Sequence, residues 1–120
     1  MTSEIRFYAV RTIRSGQVEA LRALGEEATA YFNENQPGTL EYEWFLDPGA
    51  MACHLFERYA DADACLEHLR AWGEKFAARA DRLLVPKTMF VYGPVNEDIR
   101  CALADTNPAY CQQLCGYSAS

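Results

Sequence analysis

Two stretches of alternating, strand-forming residues, Thr39–Leu46 and Cys53–Tyr59, flank the turn Asp47-Pro48-Gly49 and run directly into a helix start at Asp61. A strand, a turn, a strand and a helix in such quick succession leave room for few folds, and the flanking sequence narrows them further. Ile5 to Ile13 reads as an earlier strand; Ser15-Gly16 ends it and offers an N-cap. From Gln17 to about Asn35, Val18, Leu21, Leu24, Ala28, Tyr31 and Phe32 recur at helical spacing, with Glu19, Arg22, Glu26 and Glu27 mostly opposite. Pro37-Gly38 stops that helix. Asp61 and Asp63 favour the start of a second helix, whose inward stripe is Cys65, Leu69, Trp72 and Phe76, with Gly73 as the point where it would kink or divide. Pro86 opens a fourth strand over Lys87–Tyr92, which Gly93-Pro94 closes.

The order strand, helix, strand, strand, helix, strand predicts an α+β fold. It is the ferredoxin-like βαββαβ arrangement, an antiparallel sheet with both main helices on one face. Residues 1–94 form that domain, and residues 95–120 a C-terminal helical extension. Asn96 caps a short helix there, with Glu97 and Asp98 in its first turn, and Asn107-Pro108 breaks it. Ile99, Leu103, Tyr110, Leu114 and Tyr117 are more apolar residues than a free tail needs, so the extension is expected to pack on its own barrel or on a dimer partner. The first and fourth strands are apolar on both parities: Phe7 and Ala9 against Tyr8 and Val10, Phe90 and Tyr92 against Met89 and Val91. Two helices cover only one face of a sheet, so the other face predicts a homodimer joined sheet to sheet.

With 120 residues, half of them hydrophobic, the chain forms a single domain. A net charge of −6, with the acidic residues scattered, gives no electrostatic footprint for nucleic acid or an anionic membrane. No run approaches the ~20 apolar residues of a membrane helix, and the first residues contain no apolar signal core, so a cytoplasmic location is expected. Five cysteines, Cys53, Cys65, Cys101, Cys111 and Cys115, include no CxxC pair and read as reduced thiols. With only two histidines, no metal-ligand spacing stands out, and no metal, haem or flavin is expected.

Aromatic bulk, a strand carboxylate and a helix imidazole come together at one sheet-to-helix corner. Read plainly, His68 is an edge imidazole bonded to a carbonyl or carboxylate, and Glu57 is half of an ion pair with Arg11 or Arg58. Glu57 shares parity with Leu55 and Tyr59, whereas His54 shares it with Phe56 and Arg58, so without a bulge the two cannot face the same cavity. Which parity faces the helices is left open. Tyr8, Tyr42, Trp44, Trp72 and Phe76 read first as core and interface rather than a ligand cage, and Arg79 as a solvated helix residue.

The strings Pro37-Gly38-Thr39-Leu40-Glu41-Tyr42-Glu43-Trp44, Phe56-Glu57-Arg58-Tyr59-Ala60-Asp61 and His68-Leu69, followed by Phe76, resemble the antibiotic biosynthesis monooxygenase superfamily of dimeric α+β barrels. The haem-degrading branch of that superfamily uses an Asn on the first strand with a Trp and a His on the second helix. Here Ala9 and His68 fall at the Asn and Trp positions, Ala77-Ala78-Arg79-Ala80 follows Phe76, and Trp72 is not that Trp. The resemblance instead implies a cofactor-independent monooxygenase for a small aromatic or quinol substrate, in which the deprotonated substrate itself reduces dioxygen. His68 would be the general base at a pocket rim, Glu57 its carboxylate partner, and Tyr8, Trp44, His54, Phe56, Tyr59, Trp72, Phe76 and Arg79 the substrate-binding set. The alternatives within the resemblance are a non-catalytic small-molecule-binding barrel and a small isomerase.

Overall fold

Alternation in the first strand sets the arrangement of the whole molecule. In β1 (Ile5–Ile13), Ile5, Phe7, Ala9 and Ile13 are buried while Arg6 and Thr12 are exposed, so one sheet face carries the core. The computed structural model describes residues 2–119; residues 1 and 120, the outer ends of the two expected segments, lie outside the described residues. The chain continues through α1 (Val18–Asn35), β2 (Thr39–Asp47), β3 (Ala52–Tyr59), α2 (Ala62–Lys75), α3 (Ala77–Leu83) and β4 (Leu84–Tyr92), then α4 (Glu97–Ala102) and β5 (Ala109–Cys111). This is the ferredoxin-like α+β fold expected from the sequence, carried on a mixed five-stranded sheet.

The sheet order is β2-β3-β1-β4-β5, antiparallel except for β5, which runs parallel to β4. The fifth strand corrects the expectation of a purely helical extension. It is three residues long, too short for any alternation to register. A turn closed by Asn107 in the left-handed region, followed by Pro108, sends the chain back to the sheet edge. Ile99 and Leu103 are buried beside Ile5, Phe7 and Val91, while Leu114 and Tyr117, expected to help anchor the segment, are almost fully exposed. Gly93 makes the exit from β4 possible: at φ +119°, a Cβ there would lie 2.4 Å from the Glu4 carbonyl oxygen.

α1 buries Leu21, Leu24, Gly25, Ala28 and Phe32. At Phe32, fully buried, the gain is roughly 2 kcal/mol. α2 opens at Asp61, whose side chain accepts from the Ala64 N–H at 2.9 Å. The helix divides at Phe76 rather than Gly73. Phe76 leaves helical geometry (φ −128°, ψ −28°) to bury its ring among Tyr31, Phe32 and Trp72, and α3 then resumes. β4 begins at Leu84, before Pro86, because the pairing shifts from Val10↔Thr88 to Arg11↔Pro86 and leaves Lys87 bulged. β5 reaches only Phe90 to Tyr92, so the missing Pro86 N–H falls where β4 has no second neighbour.

No helix among the described residues is long and apolar enough to cross a membrane. Burial pushes the Cys53 thiol up to about 11 and the Cys65 thiol up to about 12, whereas Cys101 and Cys115 are exposed. A thiol reagent at neutral pH is therefore expected to label Cys101 and Cys115 within minutes, and Cys53 and Cys65 only after denaturation. Mass spectrometry of tryptic peptides checks the order; early labelling of Cys65 would contradict it.

Candidate active site

The parity of β3 places Glu57 and Tyr59 on the helix face together with Cys53 and Leu55. Across the strands, Glu57 is registered with Phe7 on β1 and Tyr42 on β2. α2 lowers His68 onto this row. His68 Nε2 lies 3.4 Å from Glu57 Oε1, and the imidazole ring packs 4.1 Å from the Phe32 ring and 5.1 Å from those of Tyr42 and Tyr59. The expected rim position is thus corrected: His68 is only 2% exposed. Neighbouring helices widen the buried arc of α2 to both sides of its apolar stripe. Leu66 on one flank meets Ile99 and Leu103 of the C-terminal segment, and His68 on the other meets Phe32 of α1.

Both ring nitrogens have partners. Nδ1 lies 3.2 Å from Gln36 Oε1, and Gln36, 4% exposed, is itself held by the Thr39 hydroxyl at 3.1 Å and by donation from its Nε2 to the Glu67 carbonyl at 3.4 Å. Tyr59 donates its hydroxyl proton to Glu57 Oε1. Burial works to raise the Glu57 carboxyl, but the His68 hydrogen bond and charge, with smaller help from Tyr59 and Arg11, outweigh it and hold the group below the usual carboxylate range. Burial, reinforced by the Glu57 charge, keeps both Tyr59 and Tyr42 far above the ordinary phenol value. The corner therefore contains a carboxylate, an imidazole and two phenols that keep their protons. Both protein bonds to Glu57 fall on Oε1, so Oε2 is the oxygen left to take a proton.

A cavity of about 610 Å³ lies between α1 and β2, with Leu21, Gly25, Thr29, Tyr42, Trp44 and Cys53 in its lining. Gly25 gives the Trp44 indole room, because a Cβ there would stand 3.0 Å from its ring and push it aside. Tyr42 forms part of the lining and also packs against His68. The cavity lining includes neither His68 nor Glu57. Arg11, on the helix face beside Cys53, adds through its charge to the lowering of Glu57 and works against the burial that raises Tyr42 and Cys53.

The ten residues singled out from the sequence do not form one site. Glu57, Tyr59 and His68 come together; Trp44 lines the cavity; Trp72 and Phe76 pack beside it, Trp72 6.1 Å from Trp44 and Phe76 5.5 Å from Phe32. Tyr8, His54 and Phe56 lie on the opposite sheet face. There the Tyr8 hydroxyl meets His54 Nδ1 at 3.0 Å and its ring stacks 4.8 Å from Phe56. Phe45, Phe90 and Tyr92 extend that aromatic surface. Arg79 forms a two-pronged pair with Glu27 at 2.8 and 3.0 Å at the protein surface. Arg58 is engaged by Glu4 and Glu41, which leaves Glu57 to His68. Sequence reasoning missed Gln36 altogether, and it marked Tyr42 only as a core or interface aromatic and Arg11 only as a candidate ion-pair partner of Glu57. Tyr42 shares parity with Trp44, whereas nothing in the pattern around Gln36 points to it.

Among the described residues, no group of three or more His, Cys, Asp or Glu side chains is placed to hold a metal ion. No curated protein matches the chain. The structure is similar to MupZ from Pseudomonas fluorescens (TM-score 0.85, 23% identity, 98% of this chain and 96% of that one), a match long enough to include the C-terminal segment. Rv0793 from Mycobacterium tuberculosis aligns at TM-score 0.64 and 25% identity over 79% of this chain and 98% of its own. SnoaB from Streptomyces nogalater, a cofactor-independent oxygenase, aligns at TM-score 0.63 and 17% identity over 75% and 91%. The family model for antibiotic biosynthesis monooxygenases matches residues 5–82, and proteins of that family typically dimerise. A match over most of the core, on a sheet and helix order of the same kind, places the chain in the antibiotic biosynthesis monooxygenase family.

Proposed function

We propose that the protein is a dimeric, cofactor-independent monooxygenase acting on a small aromatic or quinol substrate. The observation that carries this reading is the buried Glu57–His68 pair, a carboxylate held ionised beside an imidazole and next to a phenol that keeps its proton. The substrate occupies the α1–β2 cavity, whose lining stops at Tyr42, and the Tyr42 ring must swing aside for it to meet the pair. Glu57 Oε2 takes the substrate hydroxyl proton, His68 balances the charge, and Arg11 stabilises the anion that forms. The electron-rich anion then reduces dioxygen. One dihydroquinone and one dioxygen give one hydroxyquinone and one water, all electrons coming from the substrate. The cofactor-independent oxygenase among the similar structures supports this chemistry at the level of the fold.

A second reading is favoured by the dyad itself. The pair can take a proton at Glu57 and return one from the same group, which is the whole chemistry of an isomerase and needs no dioxygen. An oxygen electrode separates the two. Dihydroquinones and polyphenols are screened with purified protein and no added cofactor, and the same compounds are followed by NMR in deuterated water. Oxygen uptake above the uncatalysed rate supports the monooxygenase. Deuterium incorporation without uptake moves the assignment to an isomerase, and neither signal for any compound would leave a binding protein and overturn the catalytic reading.

A further inference from the structure

We propose that Gln36 is a positioning residue that locks the His68 ring with its proton on Nδ1, so that only Nε2 faces Glu57. The inference deepens the catalytic reading above and rests on it for its consequence, although the lock itself is a property of the resting protein. Gln36 follows α1 immediately and is, with His68, one of two buried polar or charged residues among the described residues. Its amide has only one workable orientation. The Glu67 carbonyl can only accept, so the Gln36 Nε2 must face it, at 3.4 Å. That turns Oε1 toward His68 Nδ1 at 3.2 Å, and the Thr39 hydroxyl, which donates to the same oxygen at 3.1 Å, holds it there. An amide oxygen has no proton to give. Nδ1 must therefore be the donor, and the reversed amide would set oxygen against oxygen at Glu67.

With Nδ1–H committed to Gln36, Nε2 must also present a proton to Glu57 Oε1, 3.4 Å away, because a bare Nε2 facing a carboxylate would set lone pair against lone pair. Tyr59 donates to that same oxygen and keeps the negative charge on the carboxylate. Gln36 thus gives the pair a direction: Nδ1–H is committed, and Nε2 is the nitrogen that exchanges. A hydrophobic residue of equal length at position 36 would fill the same space yet leave Nδ1 with no acceptor, so that the ring keeps only the proton facing Glu57.

The test uses full-length protein with ¹⁵N-labelled histidine and long-range proton–nitrogen correlation spectra. A His54→Gln variant assigns the two rings. The expected wild-type signature is an Nδ1 with a directly bonded, slowly exchanging proton across the pH range in which the protein stays folded. Gln36→Met is expected to lose that signal, and Gln36→Glu, which keeps an acceptor oxygen in place, to restore it. A bare Nδ1 in the wild type at neutral pH would overturn the proposal even if Gln36→Met failed to fold. So would an unchanged Nδ1 signal in a folded Gln36→Met. Failure of the oxygen and deuterium screens would remove the catalytic consequence and leave this spectrum unaffected.

Discussion

Glu57→Gln is expected to reduce turnover by roughly 10³-fold, because it keeps the shape of the side chain and removes the group that takes the proton. His68→Phe is expected to cost ~10²-fold, since the carboxylate loses the charge that keeps it ionised. The same pair bears on stability. Glu57→Leu leaves His68 Nε2 and the Tyr59 hydroxyl buried with no acceptor, at a cost of about 3 kcal/mol. Glu57→Gln, which still accepts from both, costs less. The pH dependence follows from the direction of the Glu57 shift. Its carboxyl is held below the ordinary value in the folded chain, so its contribution is complete above the unfolded glutamate range and is lost as pH falls through the native value. Urea denaturation of wild type and Glu57→Gln should therefore give stability curves that are furthest apart at neutral pH and converge in acid. A difference that stayed constant with pH would show that the carboxylate is not ionised in the native state.

Phe56→Asp is expected to turn a dimer into a monomer. Phe56 is 42% exposed and stacks on Tyr8, and Phe45, 50% exposed, packs against Phe56 on the same sheet face, which no helix covers. Five aromatic rings spread over four strands on one open face are unusual for a free surface. Rotation of a second copy about a two-fold axis would bury them against their own equivalents, with Arg58, Glu4 and Glu41 at the margin. A carboxylate at position 56 enters the interface twice. At about 2 kcal/mol per copy, the dissociation constant rises by about 10³-fold. Sedimentation equilibrium reads this directly. Wild-type protein running at 13.5 kDa at micromolar concentration, or a Phe56→Asp variant that stays dimeric, would refute the sheet-to-sheet arrangement.

Local chemistry determined the element order. Asp61 caps α2 and Asn96 caps α4 because a short side-chain oxygen at that position accepts from a helix N–H; both are legible in a single residue type before an apolar periodic run. The apolar character of both parities of β1 and β4 announced a sheet with two faces to cover, and Tyr8, Phe90 and Tyr92 stand on the face that the helices leave open. What the sequence could not determine was which parity turned inward, since Leu55 and Phe56 are both apolar and only the packing of α1 and α2 breaks the tie. That choice sent Glu57 to His68 and sent His54 to Tyr8 on the other side of the sheet. Packing also overruled the helical stripe at His68, because flanking helices widened the buried arc beyond what periodicity can register. Gln36 belongs wholly to the tertiary structure: a lone polar residue between a helix end and a proline has no pattern, and its role exists only once Glu67, Thr39 and His68 have been folded around its amide.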